Sequence, residues 1–210
     1  ELNGTIWTVY TTSNSGLPSN SVAAIATDPD GSHWFASGTN VAHFDGATWT
    51  VYNYQNCGLP NYPVTSIITD LDGSHWIATD GGGLAFYDGV SWQVYNTGNS
   101  GIPSNYLWTI SQDTDGSLWI GTQRGVTHYA GGVWTIYNTS NSGLPNDDVH
   151  VIASDPDGSH WFGCYGDTGG CLVHFDGITW TEYNTTNSGL PSDHVAAIAT
   201  DRDGTHWFGM

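Results

Sequence analysis

Positive charge is nearly absent from this chain. Two of its 210 residues are basic, Arg124 and Arg202, and there is no lysine, against 20 acidic residues and a net charge of −18. Phosphate-rich partners need a basic footprint, so the composition argues against nucleic acid and anionic membrane surfaces. No apolar run approaches the roughly 18 residues that read as a membrane-spanning helix, so no membrane insertion is expected. No charged-plus-apolar leader is present. The chain opens on Glu1 rather than Met, which fits a removed leader or a piece of a longer protein. Cysteine is scarce: Cys57, Cys164 and Cys171. No Cys/His spacing matches a zinc site, and no Gly-x-Ser-x-Gly nucleophile elbow occurs. No stretch carries a 3.6-residue apolar period long enough for a helix.

What the chain does have is one sentence repeated. The segment Gly16–Phe35 reads Gly-Leu-Pro-Ser-Asn-Ser-Val-Ala-Ala-Ile-Ala-Thr-Asp-Pro-Asp-Gly-Ser-His-Trp-Phe, and its opening glycine recurs at Gly58, Gly101, Gly143 and Gly189. The steps are 42, 43, 42 and 46 residues. A fixed period of this size means one supersecondary unit used repeatedly.

Within a unit, short alternating runs are separated by turn residues. In the first they are Val22–Thr27, Ser32–Ala36, Val41–Phe44 and Thr48–Tyr52, strands A to D, with Asp-Gly turns between A and B and between C and D. Four antiparallel strands per unit of this length are the mark of a β-propeller blade. The chain is therefore read as all-β, a single propeller over residues 1–210, most simply five-bladed. Its repeats fall at 21–63, 64–105, 106–147 and 148–192, with the last blade (193–210) completed by the N-terminal strand (1–20). Trp34, Trp76, Trp119, Trp161 and Trp207 share one place in strand B, and Trp7, Trp49, Trp92, Trp134 and Trp180 share one in strand D. Ten rings at two register positions read as packing between blades. Across the termini only ten residues separate the strand-B Trp from the strand-D Trp, against 15 to 19 inside the chain. Most of strand C is missing there, which leaves a thin last blade, a larger propeller, and strands exchanged between molecules as alternatives.

The pattern Gly-Leu-Pro-Ser-Asn-x-Val-x-x-Ile-x-x-Asp-x-Asp-Gly-x-x-Trp-Phe, followed by Phe-Asp-Gly-x-x-Trp-x-x-Tyr, resembles the two-component regulator propeller repeat of periplasmic sensor regions. Through Asp-Gly-x-x-Trp-Phe it is similar, more loosely, to streptogramin-lyase-type propellers. The resemblance covers nearly the whole chain. It implies an extracytoplasmic propeller, periplasmic or secreted, and family sensors are ligand binders often linked to glycan detection.

Candidate chemistry divides between the two faces. The A–B hairpins carry Asp28, Asp30, Asp70, Asp72, Asp155 and Asp157 among their paired acids. Turn chemistry explains these, and a ring of weak calcium sites is the sharper alternative; calcium is the one cofactor the sequence offers. The other face is where the repeats differ. The second residue of strand A reads Ala23, Thr65, Trp108, His150 and Ala196 in turn. The residues leading into it include Tyr62, Tyr106, Asp147, Asp193 and His194. Rings, carboxylates and imidazoles around one channel mouth suit a small glycan or other polar ligand, through stacking plus directional hydrogen bonds. Tyr62, Tyr106, Trp108, Asp147, His150, Asp193 and His194 are the candidate ligand-binding set. Four strand-B histidines, His33, His75, His160 and His206, recur with Leu118 in the remaining copy, which reads as packing. Cys164 and Cys171 flank the one inserted B–C loop and are expected to form a disulfide in an oxidising compartment.

No catalytic set stands out. The leading reading is non-catalytic ligand binding, with carbohydrate as the ligand class. The alternatives are a structural protein that self-associates through its incomplete blade and, last, a lyase-like enzyme.

Overall fold

The computed structural model describes residues 1–165, 169–201 and 203–210. It contains four complete four-stranded antiparallel sheets, each an A-B-C-D meander. Blade 1 is Val22–Thr27, His33–Ser37, Asn40–Phe44 and Trp49–Tyr52. Blade 2 is Val64–Thr69, His75–Thr79, Gly83–Tyr87 and Trp92–Tyr95. Blade 3 is Leu107–Gln112, Leu118–Thr122, Gly125–Ala130 and Val133–Tyr137. Blade 4 is Val149–Ser154, His160–Cys164, Cys171–Phe175 and Trp180–Tyr183. The A strands of successive blades lie against one another, as the inner strands of a propeller do. A single helical turn, Tyr54–Cys57, interrupts the loop between blades 1 and 2, capped by the Asn53 side chain.

The fifth repeat supplies its inner half, strands Ala197–Thr200 and His206–Gly209. The N-terminus supplies an outer tip, the hairpin of Leu2–Asn3 with Ile6–Trp7. Leu2 faces Trp7 as Phe44 faces Trp49 at the C–D tip of blade 1. Both halves of the expected last blade are thus present, but they form separate two-stranded sheets and do not complete each other within the chain. The hairpin docks on the outer end of blade 1, with Tyr10 5.8 Å from Phe44 and 5.7 Å from Trp49. Tyr52 makes the same contact with Tyr87 and Trp92 of blade 2, at 5.5 and 5.3 Å. The hairpin therefore fills the outer place of a blade ahead of blade 1. Among the described residues no third strand pairs with His206–Gly209.

One polar arrangement ties each blade to the next. Asp28, first residue of the blade 1 hairpin, accepts the Trp34 indole N–H of its own blade at 2.8 Å. Its other oxygen receives Thr69 Oγ1 at 2.7 Å and His75 Nε2 at 2.9 Å, both from blade 2. Asp155 joins the same three partners with a different split, Trp161 and His206 on Oδ2 at 3.2 and 2.7 Å and Thr200 on Oδ1 at 2.8 Å. Asp113 holds Trp119 at 3.0 Å and His160 at 2.9 Å. Because an ionised carboxylate only accepts, the histidine Nε2 is the donor. Three of the strand-B histidines, His75, His160 and His206, pack against the preceding blade's Trp ring as expected and are inter-blade donors as well, while His33 bonds Thr27 of its own blade. Leu118 is tolerated because Gln112, at the end of strand A, reaches Asp70 Oδ1 at 2.7 Å in its place.

Burial disfavours charge on Asp28, but hydrogen bonds from Thr69, His75 and Trp34 outweigh it and hold the carboxyl below the usual range. Asp113 is held low in the same way, by His160, Ser154 and Trp119 against its burial. A carboxyl depressed in the folded state stabilises fully above its unfolded pKa of about 3.9, and that contribution is lost as pH falls through the lower folded value. The melting temperature is therefore expected to drop steeply below about pH 4, which a thermal-melt series across acid pH checks. His160→Leu should cost about 1.5–3 kcal/mol, the range for a hydrogen bond to a charged group. Adding Ser154→Gln should restore most of it by copying the Leu118–Gln112 solution, as denaturant unfolding would show. A double variant no more stable than the single one would refute the compensation.

Candidate functional site

In each complete blade the pairing of strand A with strand B slips by one at the second residue of strand A. The residue at the slip is Ala23, Thr65, Trp108 or His150. Such a bulge leaves one residue unpaired and re-aims its side chain. Thr65 uses it to donate Oγ1 to the Leu107 carbonyl of blade 3 at 2.8 Å. Trp108 and His150 use it to place rings side by side, stacked at 4.6 Å and 14°. The Trp108 indole N–H donates to Asp148 Oδ1 at 2.7 Å. His150 Nε2 lies 3.2 Å from the same oxygen but outside hydrogen-bond geometry, so this buried nitrogen has no hydrogen-bond partner among the described residues.

The inserted loop extends the run of rings. Cys164 and Cys171 are bridged, tying the end of strand B of blade 4 to the start of strand C. Tyr165 follows the first cysteine, and its backbone N–H donates to the Asp148 carbonyl at 2.8 Å. Its ring meets His150 edge-on at 5.3 Å and His194 edge-on at 4.3 Å. The far end of the loop presses on the strand that leads into the fifth repeat. A Cβ at Gly170 would fall 2.2 Å from the Asp193 carbonyl oxygen, so only glycine fits. Residues 166–168 of this loop lie outside the described residues. The result is a continuous run, Trp108–His150–Tyr165–His194, across three repeats.

The other candidates sit elsewhere. Tyr62 and Tyr106 pack over the Gly81–Gly82 turn, where a Cβ at Gly81 would meet Tyr62 at 2.8 Å and Tyr106 at 3.5 Å. Tyr106 borders a shallow cleft of about 220 Å³ with Gln123 and the exposed Arg124. No ring contact joins this pair to the Trp108 run among the described residues. Asp147 and Asp193 accept the backbone N–H of Thr139 and Thr185, eight residues earlier, at 2.7 and 2.6 Å. Asn20 and Asn105 do the same for Thr12 and Thr97. These acids are loop ties common to the repeats. Asp148 and Tyr165 join the candidate run although the sequence did not single them out. Their signals were present: Asp148 stands where other copies have Ser21, Pro63 and Tyr106, and Tyr165 adjoins the only close cysteine pair.

On the opposite face the hairpin carboxylates are engaged. Asp28, Asp70 and Asp155 hold indoles and inter-blade donors, as described. Asp30, Asp72 and Asp157 accept the amides of Ser32, Ser74 and Ser159 at 2.9, 2.9 and 3.0 Å, and these serines hold the carboxyls below their ordinary range. Among the described residues no group of three or more His, Cys, Asp or Glu is placed to hold a metal ion. Melting temperatures in millimolar calcium and in EDTA are expected to coincide; a rise with calcium would show cation sites in the hairpins.

Blades of this pattern, with a mouth assembled where the copies differ, define a repeat β-propeller. Three of its repeats, residues 16–39, 101–124 and 143–166, match the model of the two component regulator propeller family. Solved propellers superpose on most of the chain. The extracellular domain of a hybrid two component system from B. thetaiotaomicron aligns with 90% of it at 23% identity and a TM-score of 0.75, over 27% of that domain's own length. Virginiamycin B lyase from Staphylococcus aureus aligns with 89% at 16% identity and a TM-score of 0.71, over 62% of the lyase. PorZ, a surface component of the type-IX secretion system of Porphyromonas gingivalis, aligns with 95% at 19% identity and a TM-score of 0.71, over 33% of its length. Likeness at these identities establishes the fold, and the chain spans less than two thirds of each of these proteins. No curated protein matches the chain.

Proposed function

We propose that the chain acts as a non-catalytic, extracytoplasmic ligand-binding propeller of the sensor type, with a neutral carbohydrate bound over the Trp108–His150–Tyr165–His194 run. The observation that carries this reading is the run itself: four rings across three repeats, two displayed by β-bulges, beside a buried imidazole nitrogen with no hydrogen-bond partner among the described residues. Pyranose rings offer apolar C–H faces to stack on aromatics and hydroxyls to hydrogen-bond with imidazole and carboxylate. A net charge of −18 repels anionic ligands, which favours uncharged sugars. The Cys164–Cys171 bridge across the site loop is at home in an oxidising compartment. The family repeat supports the sensor type, since the B. thetaiotaomicron domain with this fold is extracellular and part of a signalling system.

A panel of neutral oligosaccharides read by intrinsic tryptophan fluorescence and calorimetry tests this. Binding is expected in the wild type and is expected to be lost in Trp108→Ala with a small change in melting temperature, because Trp108 is partly exposed. Asp147→Asn should leave affinity unchanged. A wild type silent to the whole panel would overturn the carbohydrate reading, and a Trp108→Ala variant that still binds would remove the site.

A further inference from the structure

Arg124 stands in the B–C loop of blade 3, where blade 1 has Thr39. A guanidinium in a chain with 20 acids is expected to find a carboxylate. Among the described residues it does not. Every ion pair there uses a histidine, and Arg124 is in none of them. The Arg124 backbone N–H donates to Thr122 Oγ1 at 3.0 Å, while the side chain makes no hydrogen bond among the described residues.

This guanidinium borders the cleft of about 220 Å³ shared with Thr97, Ser104, Asn105, Tyr106 and Gln123. None of the described residues lining it is acidic. Its wall is fixed by backbone hydrogen bonds from both neighbouring loops. The Asn105 carbonyl accepts the N–H groups of Gly81 and Gly83, each at 3.0 Å, and the Tyr106 carbonyl accepts that of Gln123 at 3.1 Å. The Tyr106 N–H in turn donates to Ser104 Oγ at 3.1 Å. The Asn105 side-chain oxygen takes the Thr97 N–H at 2.9 Å, which leaves its amide nitrogen to donate elsewhere. Tyr106 is 47% exposed, with one side of its ring braced near Gly81. Donors therefore face the cleft on a backbone already set, which lowers the ordering cost of binding.

We infer that this cleft is a second binding site, which takes the carboxylate of a small hydroxylated molecule, a hydroxy acid or a sugar acid. The planar guanidinium offers two parallel N–H groups to the two oxygens of a carboxylate. The Asn105 and Gln123 amides suit hydroxyls, and the Tyr106 ring covers the carbon frame. The cleft is smaller than the roughly 300–1,000 Å³ that drug-sized ligands fill, so the ligand is small. The net charge of −18 opposes an anion at long range. At physiological ionic strength that repulsion is screened beyond about 8 Å, while the contact with Arg124 is made at hydrogen-bond distance. No ring contact joins the cleft to the Trp108 run among the described residues, and the inference is independent of the carbohydrate reading.

Heteronuclear NMR of the isotope-labelled full chain tests it, because two arginines give two side-chain Nε–Hε signals and Arg124→Gln identifies which is which. Sodium lactate and sodium glucuronate, titrated at fixed physiological ionic strength, are expected to shift the Arg124 signal to saturation and leave the other unmoved. Saturation by either acid supports the site, and the pair together tells hydroxy acid from sugar acid as the carrier. D-Glucose and sodium sulfate are expected to leave the signal in place. In calorimetry with the tighter acid, Arg124→Gln and Arg124→Lys should each weaken binding at least about tenfold, the low end for hydrogen bonds to a charged group. Both should keep the wild-type melting temperature, since the side chain has no partner to lose. Trp108→Ala should bind the acid as the wild type does, so this site and the carbohydrate site fail separately. No saturating shift with either acid overturns the inference. So does a sulfate shift as large as the acids', which would mean attraction by charge alone, or an Arg124→Lys variant that binds as tightly as the wild type.

Discussion

One carboxylate per blade holds this molecule in register. The first aspartate of the A–B hairpin in each complete blade faces two ways, taking the indole N–H of its own blade and the donors of the next. A buried indole N–H needs an acceptor, and a carboxylate has lone pairs enough for several donors at once. The chain's composition follows from this. Its hairpin aspartates are held as carboxylates by hydrogen bonds from Trp, His, Thr, Ser and backbone N–H groups, so a fold with 20 acids stands with two arginines and no lysine. Blade packing and inter-blade bonding share the same residue, Trp34 for example, which also lies 4.1 Å from the His75 ring of blade 2. A blade on its own would leave the indole face uncovered and the carboxylate without the donors of the next blade, which is why stability in such arrays comes from neighbours.

Fixing the blades by this bond leaves the opposite rim free to vary. The β-bulge near the start of strand A is kept in every complete blade, while its side chain ranges from Ala23 to Trp108. A constant backbone device with a variable side chain is a display position. The site is an effect of neighbouring copies that differ in the same place: Trp108 and His150 stack only because adjacent blades both carry rings at the slip. The disulfide-closed loop then adds Tyr165, and the glycine at 170 lets that loop approach the fifth repeat closely enough for His194 to join.

The period, the strand pattern and the two Trp registers made the propeller legible from residues alone, because each is a local signal repeated several times. Partnerships across blades were not legible. His75 and Asp28 are 47 residues apart, and nothing local distinguishes a donor histidine from a packed one. Leu118 pointed the wrong way, since its compensation lies at Gln112 on another strand. Asp147 and Asp148 are chemically identical in the sequence. The backbone sends one carboxylate to the Thr139 amide and the other to Trp108, and only the fold decides which. At the ends the two halves of the expected last blade were legible, but not that they lie in separate two-stranded sheets, with the hairpin packed on blade 1 through Tyr10.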